Sequence, residues 1–316
     1  MKGARVAVLG AGSIGVAFAV VFSAGGAAVR LWDPFPEARE RAAGELRARY
    51  EALASEGLLD VSVDEALARV DIVADVVIAV SGAELVQECV PEQLEVKRAL
   101  FASISTAVSD TTVLASSSSA ILPSLIAEGL DRAEQVIVGH PGNPPYLIPV
   151  IEVVPASGTR AEIVASAEAL YRGASLFPVR VQREAEGFIF NRLQGAVLRE
   201  AYCLVRDGVA NVADIDTVMS QGLGRRWAFI GPFETADLNT RGGIASHVSK
   251  MGQAYARMGA ERGQDDPWTS ELVEHVVAQR RELLPEHEWS DRVGWRDRQL
   301  MRFRRVFDRT EATPGE

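Results

Sequence analysis

One run near the start, Arg5-Val6-Ala7-Val8-Leu9-Gly10-Ala11-Gly12-Ser13-Ile14-Gly15, constrains the fold of this chain more than any other, because it leads on to Asp33. An apolar, β-branched stretch runs into G-x-G-x-x-G, and an apolar helical stretch (Val16 to Phe22) comes next. A second apolar run, Ala28 to Trp32, closes on the acid, 18 residues past Gly15. Strand, glycine turn, helix, strand and carboxylate is the order a dinucleotide site requires. Gly10 permits the tight turn and Gly12 lets a pyrophosphate approach the backbone. Gly15 lets helix and strand pack closely, while Ser13 and Ile14 complete the helix start whose N–H groups face the phosphates. Asp33 accepts hydrogen bonds from an adenosine ribose and repels a 2′-phosphate, so NAD is the expected cofactor, in preference to NADP.

The rest of the composition narrows the partners. The chain has 316 residues, enough for one large or two medium domains with a full core. A net charge of −10 argues against a nucleic-acid footprint. Lysine occurs only at Lys2, Lys97 and Lys250, leaving few for a polyphosphate ligand. Cys89 and Cys203 lie in apolar or helical contexts without metal-type spacing, so no metal is expected and the compartment is read as reducing and cytoplasmic. No signal peptide is read before the first strand. The apolar stretch Gly15 to Val29 is too short to span a membrane and is broken by Ser23, Gly25 and Gly26.

Along the chain, Pro36 to Glu56 reads as an exposed helix and Val63 to Arg69 as a shorter one. Apolar runs at Val76–Val80, Leu85–Val90, Thr112–Ala115, Gln135–Gly139 and Val150–Val154 read as a strand series. The pattern predicts an α/β fold: a Rossmann-type, doubly wound, mostly parallel sheet over residues 1–183. From about Glu184 only helical patterns follow: Gly187–Arg206, Val212–Met219, Ile244–Met258, Ser270–Leu284 and Gly294–Phe307. Residues 184–316 are therefore expected to form an all-helical domain, ending in a frayed polar tail from Asp308 to Glu316.

Of the four histidines, His247, His275 and His287 lie in charged helical surroundings. His140 differs, for it directly follows the strand Gln135–Gly139 and opens the rigid segment Pro141-Gly142-Asn143-Pro144-Pro145. Open α/β sheets place their chemistry at the C-terminal ends of strands. Twelve residues on, Glu152 shares a strand face with Val150 and Val154. A carboxylate flanked by valines is either on a solvated edge or buried with a partner. A return of the chain beside His140 makes the pair a general base with its orienting acid. A strand-end histidine alone is more often structural; the paired glutamate and the nucleotide fold upstream tip the reading toward catalysis.

The run His140-Pro-x-Asn143-Pro-Pro-Tyr146-x-Ile148-Pro149, followed by Glu152, resembles the 3-hydroxyacyl-CoA dehydrogenase superfamily, and within it the λ-crystallin / L-gulonate 3-dehydrogenase branch. Glu88-Cys-Val-Pro-Glu92 with Lys97, the serines Ser116 to Ser119, and Gly187-Phe-Ile-Phe-Asn191-Arg192-Leu193 agree with it. So does the segment from Met219 through Gly222, Gly224, Arg226 and Gly231-Pro232 to Glu234. The resemblance implies that His140 takes the substrate hydroxyl proton with Glu152 as its partner. Ser119 would hydrogen-bond the reacting oxygen and Asn191 would bind that oxygen or the histidine; Asn143 and Glu88 would lie on the nicotinamide side, and Lys97 and Ser117 would belong to the cofactor site. Without it, Ser119 reads as a strand-end cap and Asn191 as a helix-terminal polar residue. The four serines replace the Ser-Asn-Thr-Ser of much of the superfamily, and Gln93 stands where many members carry Asn.

The expected reaction is NAD-dependent oxidation of the 3-hydroxyl of a small, L-gulonate-like acid, with Arg226 as a carboxylate clamp. An arginine there equally suits a helix end or a subunit contact. The alternatives are an L-3-hydroxyacyl-CoA or an L-carnitine dehydrogenase, or a crystallin-type protein that binds NAD(H) without chemistry. A homodimer through the helical domain is implied by the family.

Overall fold

The central strands of the N-terminal half, built from its apolar runs, are buried on both faces, as strands covered by helices must be. The computed structural model describes residues 1–228, 231–239 and 243–262, and individual positions between 271 and 303. In chain order the first part reads β1 (Arg5–Leu9), α1 (Ser13–Ala24), β2 (Ala28–Trp32), α2 (Pro36–Ser55), α3 (Val63–Leu67), β3 (Val70–Val73) and α4 (Val76–Val80). There follow β4 (Leu85–Glu88), α5 (Leu94–Ile104), β5 (Val113–Ser116), α6 (Pro123–Ala127), β6 (Val136–Pro141), β7 (Val150–Pro155), α7 (Ala161–Gly173) and β8 (Phe177–Arg180).

The eight strands form one sheet in the order β3-β2-β1-β4-β5-β6-β7-β8. All neighbours are parallel except β6 and β7. The fold is thus a Rossmann-type, doubly wound sheet. The order reverses between β1 and β4, and the crevice outside the carboxyl ends of those strands is where such sheets bind ligands. One core face gathers Phe18, Phe22, Leu46 and Tyr171 from α1, α2 and α7. The opposite face gathers Leu100, Phe101, Ile104 and Ile126 from α5 and α6.

Three elements depart from the sequence reading. Val76–Val80, expected as a strand, is helical: the Asp75 carboxylate caps it by accepting from the N–H groups of Val77 (2.7 Å) and Ile78 (3.2 Å), and both of those side chains are exposed. The strand itself is Val70–Val73, whose Asp71 breaks the apolar run. The edge strand β8 has no counterpart in the expected series, because Pro178 and Arg180 disguise it; an edge is where proline is tolerated in a sheet.

The chain divides into two compact units, one built on Met1–Arg192 with Gly294–Glu316, the other on Leu193–Val293. Met301 is buried in the core of the first. The long helix expected from Gly187 starts later, as α8 (Phe190–Arg206), because Gly187 (φ 74°) and Phe188 (φ 50°) are both left-handed. The second unit continues with α9 (Val212–Thr217), a wider helical turn over Val218–Leu223, α10 (Gly224–Trp227), α11 (Pro232–Asn239) and α12 (Gly243–Arg262). Among its described residues there is no strand. The helices expected over Ser270–Leu284 and Gly294–Phe307 and the tail lie largely outside the described residues.

Candidate active site

The glycine turn has the shape a dinucleotide needs. Gly10 has φ 109°, and a Cβ there would come within 2.7 Å of the Cys89 carbonyl oxygen. A Cβ on Gly15 would lie 1.8 Å from the Gly10 carbonyl oxygen, so β1 and α1 touch only because both side chains are missing. Gly12 is different: a Cβ there meets no protein atom within 4 Å, and the space it leaves open is outside the protein. Gly12 also caps α1 with no side-chain hydrogen bond, so the first N–H groups of the helix are left for an anion. Ser13 opens that helix, held at its carbonyl by Arg49 (2.9 Å), and Ile14 behind it is half-buried. At the end of β2, Asp33 is anchored by the N–H groups of Ala11 (2.8 Å, to Oδ2) and Phe35 (3.0 Å, to Oδ1). Each oxygen keeps a lone pair for a ribose hydroxyl. These residues fit NAD.

The antiparallel pairing of β6 and β7 sets His140 directly opposite Glu152. Their side chains share a face, and His140 Nδ1 lies 2.7 Å from Glu152 Oε2. The other carboxylate oxygen, Oε1, accepts from the backbone N–H groups of Ile189 (2.6 Å) and Phe190 (3.0 Å) at the start of α8. Both residues are buried, His140 at 6% and Glu152 at 2% exposure. The rings of Phe188 and Phe190 wall the imidazole, at 5.6 and 6.3 Å between centroids. A carboxylate in this position, tied to the positive end of a helix, is an acceptor. Nδ1 therefore carries the proton, and Nε2 is the ring atom left to accept one.

A polar network fills the ends of β4 and β5. Lys97 Nζ lies 2.9 and 3.1 Å from the two oxygens of Glu88, and both residues are fully buried. Glu88 also accepts from the Val90 N–H and the Ser116 hydroxyl. Burial pushes the Glu88 carboxyl up from its ordinary range, and Lys97 and Ser116 oppose that. Glu88, expected beside the nicotinamide, and Lys97, expected in the cofactor site, are thus bonded directly to each other. Ser117 is half-buried, and its N–H donates to the Glu88 carbonyl. Ser119 is exposed, and its carbonyl accepts from Asn191 Nδ2 at 3.0 Å, so those two residues come together. Asn143 is exposed in the loop after β6.

The sequence reading missed the groups that hold these residues. Gln87 and Tyr171 lie behind Gly139: the tyrosine hydroxyl donates to Gln87 Oε1 (2.7 Å), and a Cβ on Gly139 would strike it at 2.2 Å. The apolar context of Gly139 and its place before His140 were the only signals. The backbone donors of Ile189 and Phe190 carry no sequence signal. Arg226 is an exposed residue of α10 in the second unit. Among the described residues no cluster of histidine, cysteine or carboxylates is suited to a metal, and no helix is long and apolar enough to cross a membrane.

Comparison with known proteins decides the family. Residues 5–185 match the NAD-binding domain of 3-hydroxyacyl-CoA dehydrogenase, and residues 187–283 match its C-terminal domain. The chain belongs to the 3-hydroxyacyl-CoA dehydrogenase family. It is an oxidoreductase of this NAD-dependent family, and NAD is its cofactor. A lambda-crystallin of Oryctolagus cuniculus is 38% identical over 306 residues, covering 95% of each chain. An L-carnitine dehydrogenase of Streptomyces coelicolor is 36% identical, with 96% of this chain and 95% of that one covered. Among solved structures, the NAD⁺-dependent 5-formyl-3-hydroxy-2-methylpyridine 4-carboxylic acid 5-dehydrogenase superposes with a TM-score of 0.83 at 29% identity, over 97% of this chain and 99% of that one. The 3-hydroxybutyryl-CoA dehydrogenase of Escherichia coli gives 0.65 at 29% identity, over 81% and 53%.

Proposed function

We propose that the protein oxidises the 3-hydroxyl of a small, L-gulonate-like 3-hydroxy acid to the 3-keto acid, with His140 as general base. The observation that carries this reading is the 2.7 Å contact between His140 Nδ1 and a Glu152 carboxylate whose other oxygen is fixed by two helix N–H groups. Glu152 holds one tautomer, so Nε2 receives the hydroxyl proton, and it stabilises the imidazolium that results. Ser119 and Asn191 are assigned to the substrate oxygen, which they orient toward Nε2. Phe188 and Phe190 keep water from the imidazole. NAD⁺, when bound, supplies the electron acceptor.

The preference for a free acid over a CoA thioester rests on charge. Lys97 is buried against Glu88, and three of the four arginines of α2 pair with carboxylates: Arg41 with Glu45, Arg47 with Glu51 and Asp64, and Arg49 with Glu45, while the fourth, Arg39, donates to the Asp33 carbonyl. That leaves little uncommitted cation on this helix for the phosphates of coenzyme A. A small acid needs one carboxylate clamp, and we assign that role to Arg226. We further propose a homodimer formed through the helical unit.

Initial rates with NAD⁺ and L-gulonate, L-carnitine or L-3-hydroxybutyryl-CoA test the reading. The free hydroxy acid is expected to give the highest kcat/KM, and a clear preference for the thioester would overturn the substrate class. His140→Gln is expected to bind NADH normally and to lose kcat by about 10²- to 10⁴-fold. An unchanged kcat in that variant excludes the role given to His140.

A further inference from the structure

Two polar side chains lie at 0% exposure in the core beneath His140, and the proposed chemistry uses neither: Gln87 of β4 and Tyr171 of α7. The Tyr171 ring stacks on Phe22, 6.4 Å away between centroids, and its hydroxyl donates to Gln87 Oε1 at 2.7 Å. Gln87 Nε2 donates in turn to the Gly139 carbonyl at 3.4 Å. That carbonyl belongs to the peptide joining Gly139 to His140. Strand β5 pairs with β6 only as far as Ser116 opposite Val138, so this peptide lies just beyond the last pair, and the Gln87 amide meets it there. The three residues are fitted to one another. A Cβ on Gly139 would lie 2.2 Å from the Tyr171 hydroxyl and 3.5 Å from Gln87 Oε1, so the hydroxyl fills the space a side chain would take.

We propose that Gln87, oriented by Tyr171, is a positioning residue for His140: it fixes the Gly139–His140 peptide from one sheet face while Glu152 fixes the imidazole on the other. This rests on the reading of His140 as the base. Successive strand residues point to opposite faces, so Gly139 looks toward Tyr171 while His140 looks toward Glu152 and Phe188. A ring tied at Nδ1 alone can still swing with its backbone about that contact, and Nε2, on the far side of the ring, travels furthest. Holding the peptide behind the ring removes that freedom. The tyrosine matters because an amide has two ends. Burial pushes the Tyr171 hydroxyl far above its ordinary range, so it keeps its proton and needs an acceptor. Only the oxygen end of the amide is one. Gln87 is thereby held with its nitrogen toward the Gly139 carbonyl; turned over, it would set two carbonyl oxygens against each other.

The test uses whichever of the three alcohols turns over fastest, with NADH binding and thermal unfolding measured beside kcat. Gln87→Leu keeps much of the volume but no donor. It is expected to lower kcat by roughly 10- to 100-fold, the cost of a displaced reacting group, with KM for NAD⁺ and for the alcohol within about twofold of wild type. Tyr171→Phe frees the amide to turn over and should lower kcat less, by roughly 3- to 10-fold. A pair that served stability alone would make turnover follow stability, and the double variant separates the two. In Gln87→Leu the Tyr171 hydroxyl is left unpaired in the core, whereas Gln87→Leu with Tyr171→Phe removes both partners. The double variant should therefore unfold at a higher temperature than Gln87→Leu. Its kcat should nevertheless match that of Gln87→Leu within about twofold, because Tyr171 acts through Gln87. Should Gln87→Leu fail to fold, Tyr171→Phe and the double variant are read against the wild type in its place. The proposal is overturned by an ordinary kcat in these variants, by a rise in KM for NAD⁺ without a fall in kcat, or by turnover that returns with stability in the double variant. If none of the alcohols turns over, or His140→Gln stays active, the functional reading goes and this inference with it. Loss of turnover in His140→Gln beside an ordinary Gln87→Leu removes this inference alone.

Discussion

Gly12 and Gly15 lie three positions apart in one motif, yet their hydrogens do different work. A methyl group on Gly15 would overlap the Gly10 carbonyl oxygen at 1.8 Å, against backbone that has nowhere to move. One on Gly12 would meet no protein atom within 4 Å, and Gly12 has an ordinary extended conformation (φ −75°) that alanine adopts freely. Gly15→Ala is therefore expected to destabilise the protein by about 3 kcal/mol, as overpacking against backbone does, and to abolish NADH binding as well. Gly12→Ala should cost about 0.5–1 kcal/mol at the helix cap, where glycine is the better residue, well short of Gly15→Ala, and yet bind NADH at least tenfold more weakly. Thermal unfolding and fluorescence titration read the two effects separately. Equal loss of stability in both variants would contradict this division of roles. The motif was legible in the sequence because glycine is needed wherever backbone approaches backbone or ligand. The support behind the histidine was not. Two N–H groups of α8 hold Glu152, and backbone donors leave no trace in side-chain chemistry.

Among the elements, what the sequence hid is explained by local competition. Val76–Val80 has the composition of a strand, but the Asp75 cap satisfies its first N–H groups and makes it helical. Strand β8 carries few of the usual signals, and its docking relies in part on charge. Glu168 of α7 lies 2.7 Å from Arg180 of β8 and 3.4 Å from Arg172. The hydrogen bond from Arg180 is the first cause that holds the Glu168 carboxyl below its ordinary range. A carboxyl depressed on folding stabilises the native state above the unfolded value, and that contribution fades as pH falls through the folded one. Arg180 is 44% exposed, so solvent screening keeps the pair to about 0.5–1 kcal/mol. Glu168→Gln is accordingly expected to reduce the stability read from urea unfolding at pH 7 by that amount and to draw closer to the wild type at pH 3. A gap of the same size at both pH values would show that lost packing, not charge, is what the substitution removes.

For the whole molecule, the second unit raises the question that the Rossmann sheet does not. Its helices and the loop between α8 and α9 leave large apolar side chains in solvent, with Val209 at 66%, Val218 at 62% and Phe233 at 78% exposure. The same unit holds an apolar cavity of about 810 Å³, lined by Ala201, Leu204, Ile215, Val218, Met219 and Leu223 among others. Apolar surface of this kind is uncommon on proteins that stay monomeric, and a self-complementary patch is the usual route to a twofold dimer. The amphipathic helix predicted from Gly187 onward has an apolar stripe that could be read in the sequence. What it packs against could not, because a face that binds another helix of the same chain and one that binds a second copy have the same periodicity. Light scattering coupled to size exclusion is expected to give twice the chain mass. Val218→Asp places a charge where the proposed interface would desolvate it, and should weaken the dimer at least 100-fold, the effect of burying an unpaired carboxylate at about 3 kcal/mol or more. Because Val218 is largely exposed within the chain, the same variant should unfold as a monomer without a large loss of its own stability. A variant that remains a dimer with the wild-type dissociation constant would show that subunits meet elsewhere, and a wild-type monomer would return the apolar cavity to the protein's internal packing or to a ligand.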